Sequence, residues 1–236
     1  TLQLAVKHAT ASRPGPTAVI LDGDAVTAEV PDDPIPPVWD AEEQVRNWTS
    51  RPEAADVEAA TTALSAAERP VIVAGNGVHA AQAYEELQAV AEAAGAVVTT
   101  SYLGKSTIPE THDLAAGVIG SFGHEGANQV VSEADVLLVV GSRLNPMDTN
   151  WQAPEFVRPD EQTIIHADVD TRNAGWVYPA DVGLVGDAAS ALADLGDALA
   201  EGAPGASGDR SADGATADSN DWAGKRAAEA RESFRV

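Results

Sequence analysis

Uninterrupted apolar segments alternate with amphipathic segments through the middle of the chain. Runs of Val, Ile and Leu without polar alternation are typical of strands that are covered on both faces. The apolar segments are residues 71–74, 97–100, 136–140, 163–167 and 182–185. Residues 83–94 and 187–200, between or after these runs, show helical periodicity. This alternation predicts an α/β fold, namely a Rossmann-like, open, mostly parallel sheet with helices on both faces.

The two ends of the chain have a different pattern from the middle. Residues 1–30 predict an amphipathic helix, a break at 13–16 and a short apolar strand at 17–21. One helix and one strand cannot enclose a core, so residues 1–30 are interpreted as the C-terminal end of another domain. Residues 31–52 contain five prolines and predict an extended linker.

Residues 53–200 contain all the remaining alternating segments and are predicted to form one domain. After them, residues 201–220 are dominated by Gly, Ala, Ser and Asp, which predicts a flexible linker. Residues 221–236 are helical in pattern again, so 201–236 is interpreted as a linker and the start of a further domain. We therefore expect the chain to be part of a longer protein.

Charge narrows the classes of partner. The 236 residues include 37 Asp and Glu against 14 Lys and Arg, for a net charge of −23. This excess disfavours nucleic acid and anionic membrane surfaces as partners. The acidic residues are spread along the whole chain, which has few lysines. Because concentrated salt screens the repulsion between carboxylates, this composition predicts a protein of a high-salt cytoplasm. The alternative is an ordinary acidic protein.

The lack of cysteine and the lack of a long apolar run exclude several kinds of site and a membrane-spanning helix. The chain contains no cysteine, so disulfides, thiolate metal sites and cysteine nucleophiles are excluded. No apolar run approaches the roughly 20 residues of a transmembrane helix. Neither a disulfide nor a transmembrane helix is therefore expected.

A glycine-containing turn follows the first predicted strand. Gly75, Asn76 and Gly77 open the next helix and fit the pattern G-x-G-x-x-G/A, in which the backbone approaches a phosphate. A nicotinamide site also requires an acid after the next strand, where residues 99–101 are Thr-Thr-Ser, so NAD is disfavoured. The alternative is that the glycines only permit a tight turn.

Polar residues follow the successive predicted strands. The carboxyl ends of parallel strands line the ligand crevice of an open sheet. Arg143 is predicted to pair with a diphosphate, and Asp168 or Asp170 to bind ribose hydroxyls. The alternative is that these residues cap helices and bind loop backbone. The candidate cofactor-binding residues are Gly75, Asn76, Gly77, Thr100, Gly104, Gly141, Arg143, Asp168, Asp170, Gly186 and Asp187.

Neither histidine spacing nor the lysines indicate a self-sufficient catalytic centre. The five histidines show no metal-binding spacing, so no catalytic residue and no metal ligand are predicted. His166 lies inside a predicted strand and is interpreted as a satisfied interior or sheet-edge histidine. Lys105 follows Gly104 but lacks the spacing of a phosphate-binding loop, and is interpreted as a basic residue in a glycine turn.

Several segments, in the same order along the chain, together resemble thiamine-diphosphate enzymes of the acetolactate synthase family. The segments that carry the resemblance are 13–16, 69–78, 104–128, 134–143, 164–170 and 185–187. The segment 134–143, Ala-Asp-Val-Leu-Leu-Val-Val-Gly-Ser-Arg, is similar to a strand and loop of the family's central domain. The chain is thus identified as similar to that central domain, with the end of a pyrimidine-binding domain before it and the start of a diphosphate-binding domain after it.

The resemblance implies a longer cytoplasmic enzyme that acts on a small 2-oxo acid as a carboligase or decarboxylase, in the transferase or lyase class. Thiamine diphosphate and magnesium are implied at sites outside this chain, in the pyrimidine- and diphosphate-binding domains, so this chain alone is expected to be inactive. A homodimer or homotetramer is implied for the full-length enzyme, because the thiamine site of the family lies between subunits.

The resemblance also bears on the central domain's own ligand. This domain binds FAD in some family members, an ADP-containing nucleotide in others and no ligand in several. Residues 75–77, 104–106 and 141–147 depart from the motifs of FAD-using members, which weighs against FAD and leaves open whether this domain binds FAD, ADP or no ligand. Two other functions stay open: a self-contained FAD- or nucleotide-binding electron-transfer module, and a ligand-free structural domain.

Overall fold

The chain divides into two units, Thr1–Thr49 and Ser50–Val236. The computed structural model describes residues 1–11, 13–29, 39–40, 43, 48–202 and 219–233. Most of the predicted linker at 31–52, most of the predicted linker at 201–220 and the last three residues lie outside the described residues.

The described part of the first unit contains two helices, α1 (Leu2–Thr10) and α2 (Gly23–Thr27). The helix predicted near the start of the chain is confirmed by α1, none of whose residues is buried. The strand predicted at 17–21 is wrong: this segment is extended but not paired, and Ile20 is 93% exposed. A strand forms only with a hydrogen-bonded neighbour, and the described residues of this unit supply none.

The second unit contains an alternating series of strands and helices. The strands are β1 (Pro70–Ala74), β2 (Val97–Thr100), β3 (Ala115–Val118), β4 (Val136–Val140), β5 (Thr163–Asp168) and β6 (Val182–Val185). The helices are α3 (Ala54–Ala66), α4 (Asn76–Ala81), α5 (Tyr84–Ala94), α6 (Glu125–Glu133), α7 (Ala188–Gly202) and α8 (Ser219–Glu232), with a 3-10 helix at Tyr102–Gly104. A bilayer-spanning helix is not found within the described ranges.

The six strands form one parallel sheet in the order β3-β2-β1-β4-β5-β6. This is the strand order of the doubly wound, Rossmann-like fold, in which the sheet grows in opposite directions from β1 and β4. The predicted fold class is therefore confirmed. Every residue of β1 and of β4 is buried, as their unbroken apolar runs require.

Helices cover the sheet in two groups. On one face, α7 packs against α3 and α5, and on the other, α6 and α8 pack against each other and against β3. Helix α8 buries Ala223, Ala227 and Ala230 in this position. It therefore packs on the same sheet as the preceding elements, and its assignment to a following domain stays a prediction.

Candidate functional site

The carboxyl ends of β1 and β4 meet at the point where the strand order reverses. The loops that follow them are in direct backbone contact: the amide of Gly77 donates to the carbonyl of Gly141 at 2.9 Å. A Cβ on Gly75 would lie 2.4 Å from the Gly141 oxygen, and a Cβ on Gly77 would lie 2.5 Å from the Gly141 Cα. Glycine is thus required at these positions for loop packing, independently of any ligand.

Two other predicted glycines also permit close packing. A Cβ on Gly104 would lie 2.1 Å from the carbonyl oxygen of Ala74, at the end of β1. A Cβ on Gly186 would lie 2.7 Å from the Cδ of Pro52, before α3. Their contact with a nucleotide stays a prediction, since packing alone accounts for these glycines.

Asn76 and Thr100 differ in exposure. Asn76 is exposed on the first turn of α4, a helix of six residues. Thr100 is buried at the end of β2, where its carbonyl accepts from the amide of Ile119 at 2.9 Å. Of these two, Asn76 is the side chain that solvent or a ligand can reach.

The two carboxylates predicted to bind ribose are engaged by their own loop. Asp168 is buried, and its Oδ1 accepts from the Asp170 amide at 2.8 Å and from Asn173 Nδ2 at 3.0 Å. Asp170 accepts from Arg172 Nε at 2.9 Å and from its Nη2 at 2.8 Å. Both acids therefore order the loop after β5, and a role in binding ribose stays a prediction.

Asp187 caps a helix. Its Oδ1 accepts from the amides of Ala189 and Ser190, at 3.1 Å and 3.3 Å, in the first turn of α7. A carboxylate here satisfies backbone donors that have no partner within the helix and interacts favourably with its dipole. The structure thus supplies the helix-capping role that the sequence left as an alternative.

Arg143 stands apart from the other arginines. Its side chain is exposed in the loop after β4, and its guanidinium carbon lies 5.4 Å from the centroid of the Trp176 ring. Within residues 48–202 and 219–233 it alone among the arginines makes neither an ion pair nor a hydrogen bond. The others, Arg51, Arg69, Arg158, Arg172, Arg226 and Arg231, all donate to carboxylates or carbonyls.

Trp176 is 56% exposed in the loop after β5, and sequence reasoning missed it. The loop breaks the regular periodicity, so no pattern marks the residue. The available signal was a large aromatic residue in a loop that follows a strand in an acidic chain. Its ring lies across the guanidinium of Arg143, which makes the pair a platform with one cationic and one planar apolar component.

Other exposed apolar side chains lie at the same edge of the sheet. They come from the loops after β2, β3 and β4: Tyr102, Leu103, Phe122, Met147 and Trp151. The rings of Tyr102 and Phe122 are 6.4 Å apart between centroids. We call the side of the sheet at which the strands have their carboxyl ends the carboxyl edge. Exposed apolar side chains therefore lie at this carboxyl edge together with the platform of Arg143 and Trp176.

A buried carboxylate joins two of these loops. Asp148, in the loop after β4, accepts from the Tyr102 amide at 3.4 Å and from Asn145 Nδ2 at 2.5 Å. Burial raises its pKa above the usual value for Asp. The sequence did not single out Asp148, because its partner after β2 is distant along the chain.

His166 is the interior histidine that the sequence predicts. It is 2% exposed; its Nε2 lies 2.8 Å from the Ser142 carbonyl oxygen, and its Nδ1 accepts from the Gly175 amide at 3.2 Å. Burial lowers its pKa below 6.5, although the Ser142 hydrogen bond and the Asp168 charge oppose the shift. The folded state thus favours neutral His166 and loses stability as the pH falls below 6.5.

Lys105 and the possible metal ligands were also considered in the sequence. Lys105 is exposed and forms an ion pair with Glu110, in agreement with its interpretation as a basic residue in a turn. Among the described residues, no group of three His, Asp or Glu side chains is placed to hold a metal ion.

Known proteins resemble this chain over most of its length. A family model described as "Thiamine pyrophosphate enzyme, central domain" matches residues 57–195. A probable acetolactate synthase large subunit of Methanocaldococcus jannaschii is 36% identical over 204 residues, covering 84% of this chain and 33% of the relative. The acetolactate synthase large subunit of Corynebacterium glutamicum is 35% identical, covering 78% of this chain and 28% of the relative.

A solved structure agrees with these matches. The X-ray structure described as "a putative thiamin diphosphate-dependent enzyme isolated from Mycobacterium smegmatis" superposes with a TM-score of 0.54 at 29% identity, covering 65% of this chain and 30% of that one. The chain spans about a third or less of the length of these proteins. With its Rossmann-like sheet and the family match over more than half of its residues, the chain belongs to the thiamine pyrophosphate enzymes, as an acetolactate synthase-like central domain.

Proposed function

We propose that this chain is the central domain of a longer enzyme that acts on a small 2-oxo acid as a carboligase or decarboxylase. The relatives named as acetolactate synthases support this proposal, as does a glyoxylate carboligase of Escherichia coli O157:H7 that is 33% identical over 81% of this chain. Thiamine diphosphate, when bound, supplies an electron sink for the carbanion that remains after loss of carbon dioxide. The choice of 2-oxo acid and acceptor belongs to the rest of the enzyme.

The proposed domain organisation follows the sequence boundaries. Residues 53–200 form the central domain, after the end of a pyrimidine-binding domain at 1–30 and the linker at 31–52, and before a linker and the start of a diphosphate-binding domain at 201–236. Thiamine diphosphate and magnesium are held outside this chain, so the chain alone is inactive. The full-length enzyme is a homodimer or homotetramer.

The coding DNA on both sides of the segment tests this organisation. We expect a preceding domain with a glutamate placed to activate thiamine, and a following Gly-Asp-Gly…Asn motif for magnesium and diphosphate. The longer chain should then convert a 2-oxo acid such as pyruvate only with thiamine diphosphate and magnesium added. A start codon directly before Thr1 together with a stop codon directly after Val236 would contradict the proposal and favour a self-contained module.

The domain's own ligand is proposed to be an adenine nucleotide, through the adenosine diphosphate group that FAD and ADP share. The observation that carries this proposal is the platform of Arg143 and Trp176. The chain has 37 acids, yet no acid in its described part pairs with the Arg143 guanidinium, which lies beside an exposed indole in the loop after β4. Arg143 donates to diphosphate oxygens, and Trp176 offers its free face to a planar ring.

Titration calorimetry with ADP and with FAD tests the nucleotide site in the 236-residue chain. We expect binding by at least one of them, and a loss of affinity of about tenfold or more in Arg143→Gln, since hydrogen bonds to charged groups contribute about 1.5–3 kcal/mol. Arg172→Gln is the matched control, because Arg172 is already paired with Asp170. No binding of either nucleotide would favour a ligand-free structural domain.

We further propose that the protein works in a high-salt cytoplasm. The net charge of −23 supports this, because self-repulsion of the folded chain is relieved when salt shortens the screening length to about 3 Å at 1 M. The melting temperature should rise as potassium chloride increases from dilute to molar concentration. A melting temperature that is constant or falls across this range would contradict the proposal.

A further inference from the structure

One buried imidazole lies between the two loops that carry the platform of Arg143 and Trp176. His166 Nε2 is 2.8 Å from the carbonyl oxygen of Ser142, and the Gly175 amide is 3.2 Å from His166 Nδ1. Ser142 directly precedes Arg143, and Gly175 directly precedes Trp176. A single ring is therefore hydrogen-bonded to the residue next to each half of the platform.

Each loop is also ordered from within. The Ser142 hydroxyl accepts from the Leu144 amide at 3.2 Å, and Leu144 is buried with a left-handed φ of 50°. On the other side, Asp168 accepts from Asn173 and so holds the first part of the loop after β5. These bonds shape each loop separately, whereas the His166 ring joins one loop to the other.

The hydrogen bonds define the protonation state of this ring. The Gly175 amide can only donate, so Nδ1 must carry a lone pair, and the Ser142 carbonyl can only accept, so Nε2 must carry the proton. A protonated ring would turn an Nδ1 hydrogen toward the Gly175 N–H, which places two donors against each other. The contact with Gly175 thus requires the neutral form.

Asp168, two residues further along β5, is the charged group shown to act on the ring. The two loops that the ring joins also carry charges: Arg143 follows Ser142 in the loop after β4, and the Asp170–Arg172 ion pair lies in the loop after β5. Val139 of β4 and Gly183 of β6, the strand neighbours of His166, are uncharged. Asp168 is the nearby charge that favours protonation, and burial opposes it.

We propose that His166 is a positioning residue whose neutral ring holds Arg143 and Trp176 together as one preformed binding element, and whose protonation releases it. The nature of the ligand, an adenine nucleotide, rests on the proposed function. The coupling of the two loops through His166 does not, and it can be measured without any ligand.

The ligand-free test is the accessibility of the Trp176 indole to acrylamide. Trp176 fluorescence is obtained as the difference between the wild-type chain and Trp176→Phe. We expect quenching of this signal to be constant from about pH 8 to about 6.5 and to increase as the pH falls further and His166 becomes protonated. In His166→Asn, which offers an acceptor to Gly175 but cannot titrate, the increase should disappear.

A purely structural role for His166 gives different results. It predicts that His166→Asn lowers the melting temperature while Trp176 quenching keeps its wild-type pH profile, which would overturn the proposal. His166→Gln provides a second variant, because its amide can donate to the Ser142 carbonyl. If neither variant folds, a wild-type quenching profile that is flat with pH would itself overturn the proposal.

Titration with ADP at about pH 8 and about pH 5.5 connects the positioning role to binding. Affinity should fall at the lower pH in the wild-type chain by more than it falls in His166→Asn, which corrects for titration of the nucleotide itself. ADP binding with equal pH dependence in both would overturn the positioning role and leave the proposed function intact. If ADP does not bind but the quenching profile is as expected, the nucleotide proposal is overturned and the positioning role of His166 is retained.

Discussion

Polar residues have different roles at the amino ends and at the carboxyl ends of the strands, which we call the amino edge and the carboxyl edge of the sheet. At the amino edge, the carboxylate of Asp135 accepts from two backbone amides that precede β1, at 2.7 Å and 2.9 Å. The buried amide of Gln162 donates to two carbonyls at the end of α6, at 2.9 Å and 3.0 Å. Arg69 donates to a third carbonyl there, at 2.7 Å. Polar side chains at this edge thus satisfy the backbone.

The carboxyl edge contains both kinds of polar residue. Asp168 and Asp187 order the loop after β5 and the start of α7, as the amino-edge residues order their surroundings. Arg143 does not: it is exposed, stacks on Trp176 and makes no hydrogen bond to another described residue. Position at a strand end therefore does not by itself identify a ligand contact, and the lack of a described partner is what makes Arg143 the proposed one.

The largest loss of stability should follow from adding a side chain where the loops after β1 and β4 are in direct contact. Gly77→Ala places a methyl group 2.5 Å from the Gly141 Cα, so the free energy of unfolding should fall by about 3 kcal/mol. Denaturant unfolding in molar salt measures it. Gly183→Ala is the control, since nothing lies within 4 Å of its added Cβ, and its change should stay below about 0.5 kcal/mol. Equal effects of the two substitutions would show that the loops do not pack as described.

The next effect tests the amino edge. Gln162→Leu leaves the Val131 and Ala134 carbonyls and the Arg158 amide without this partner, so the free energy of unfolding should fall by about 2 kcal/mol. Nucleotide affinity, measured by calorimetry, should not change. Gln129→Leu on the exposed side of α6 is the control and should have little effect on either quantity. Weaker nucleotide binding in Gln162→Leu would contradict the conclusion that polar residues at the amino edge serve the backbone and not the ligand.

A smaller effect is expected at the start of α7. Asp187→Ala removes the acceptor for two amides and should lower the free energy of unfolding by about 1 kcal/mol. Asp187→Ser, which retains a capping oxygen, should restore most of it, as thermal unfolding can measure. If Asp187→Ala instead leaves stability unchanged and weakens nucleotide binding, Asp187 belongs with Arg143 as a ligand contact.

The smallest effect on stability should come from Arg143→Gln. An exposed cation–π contact contributes about 0.5–1 kcal/mol, so the free energy of unfolding should change by less than about 1 kcal/mol. Nucleotide affinity should fall in the same variant. A large loss of stability in denaturant unfolding would place Arg143 with the structural residues instead.

Sequence reasoning predicted the parallel sheet because the cores of β1, β4 and β5 are unbroken apolar runs. It missed β3, whose four residues are mostly small and include Gly117, and it assigned a strand to 17–21, where no partner strand is described. At the site, Arg143 was predicted from its position after β4. Trp176 and the bonds of His166 were not, because they depend on contacts between loops that are distant along the chain.

Hydrogen–deuterium exchange with and without ADP, in molar salt, tests most directly whether the carboxyl edge is the binding edge. If the nucleotide binds there, we expect added protection in peptides that cover 141–152 and 168–178. Peptides that cover 66–72, 130–135 and 155–163 should exchange at the same rate with and without ADP. Protection at the amino edge, or no protection anywhere at saturating ADP, would contradict the proposed site.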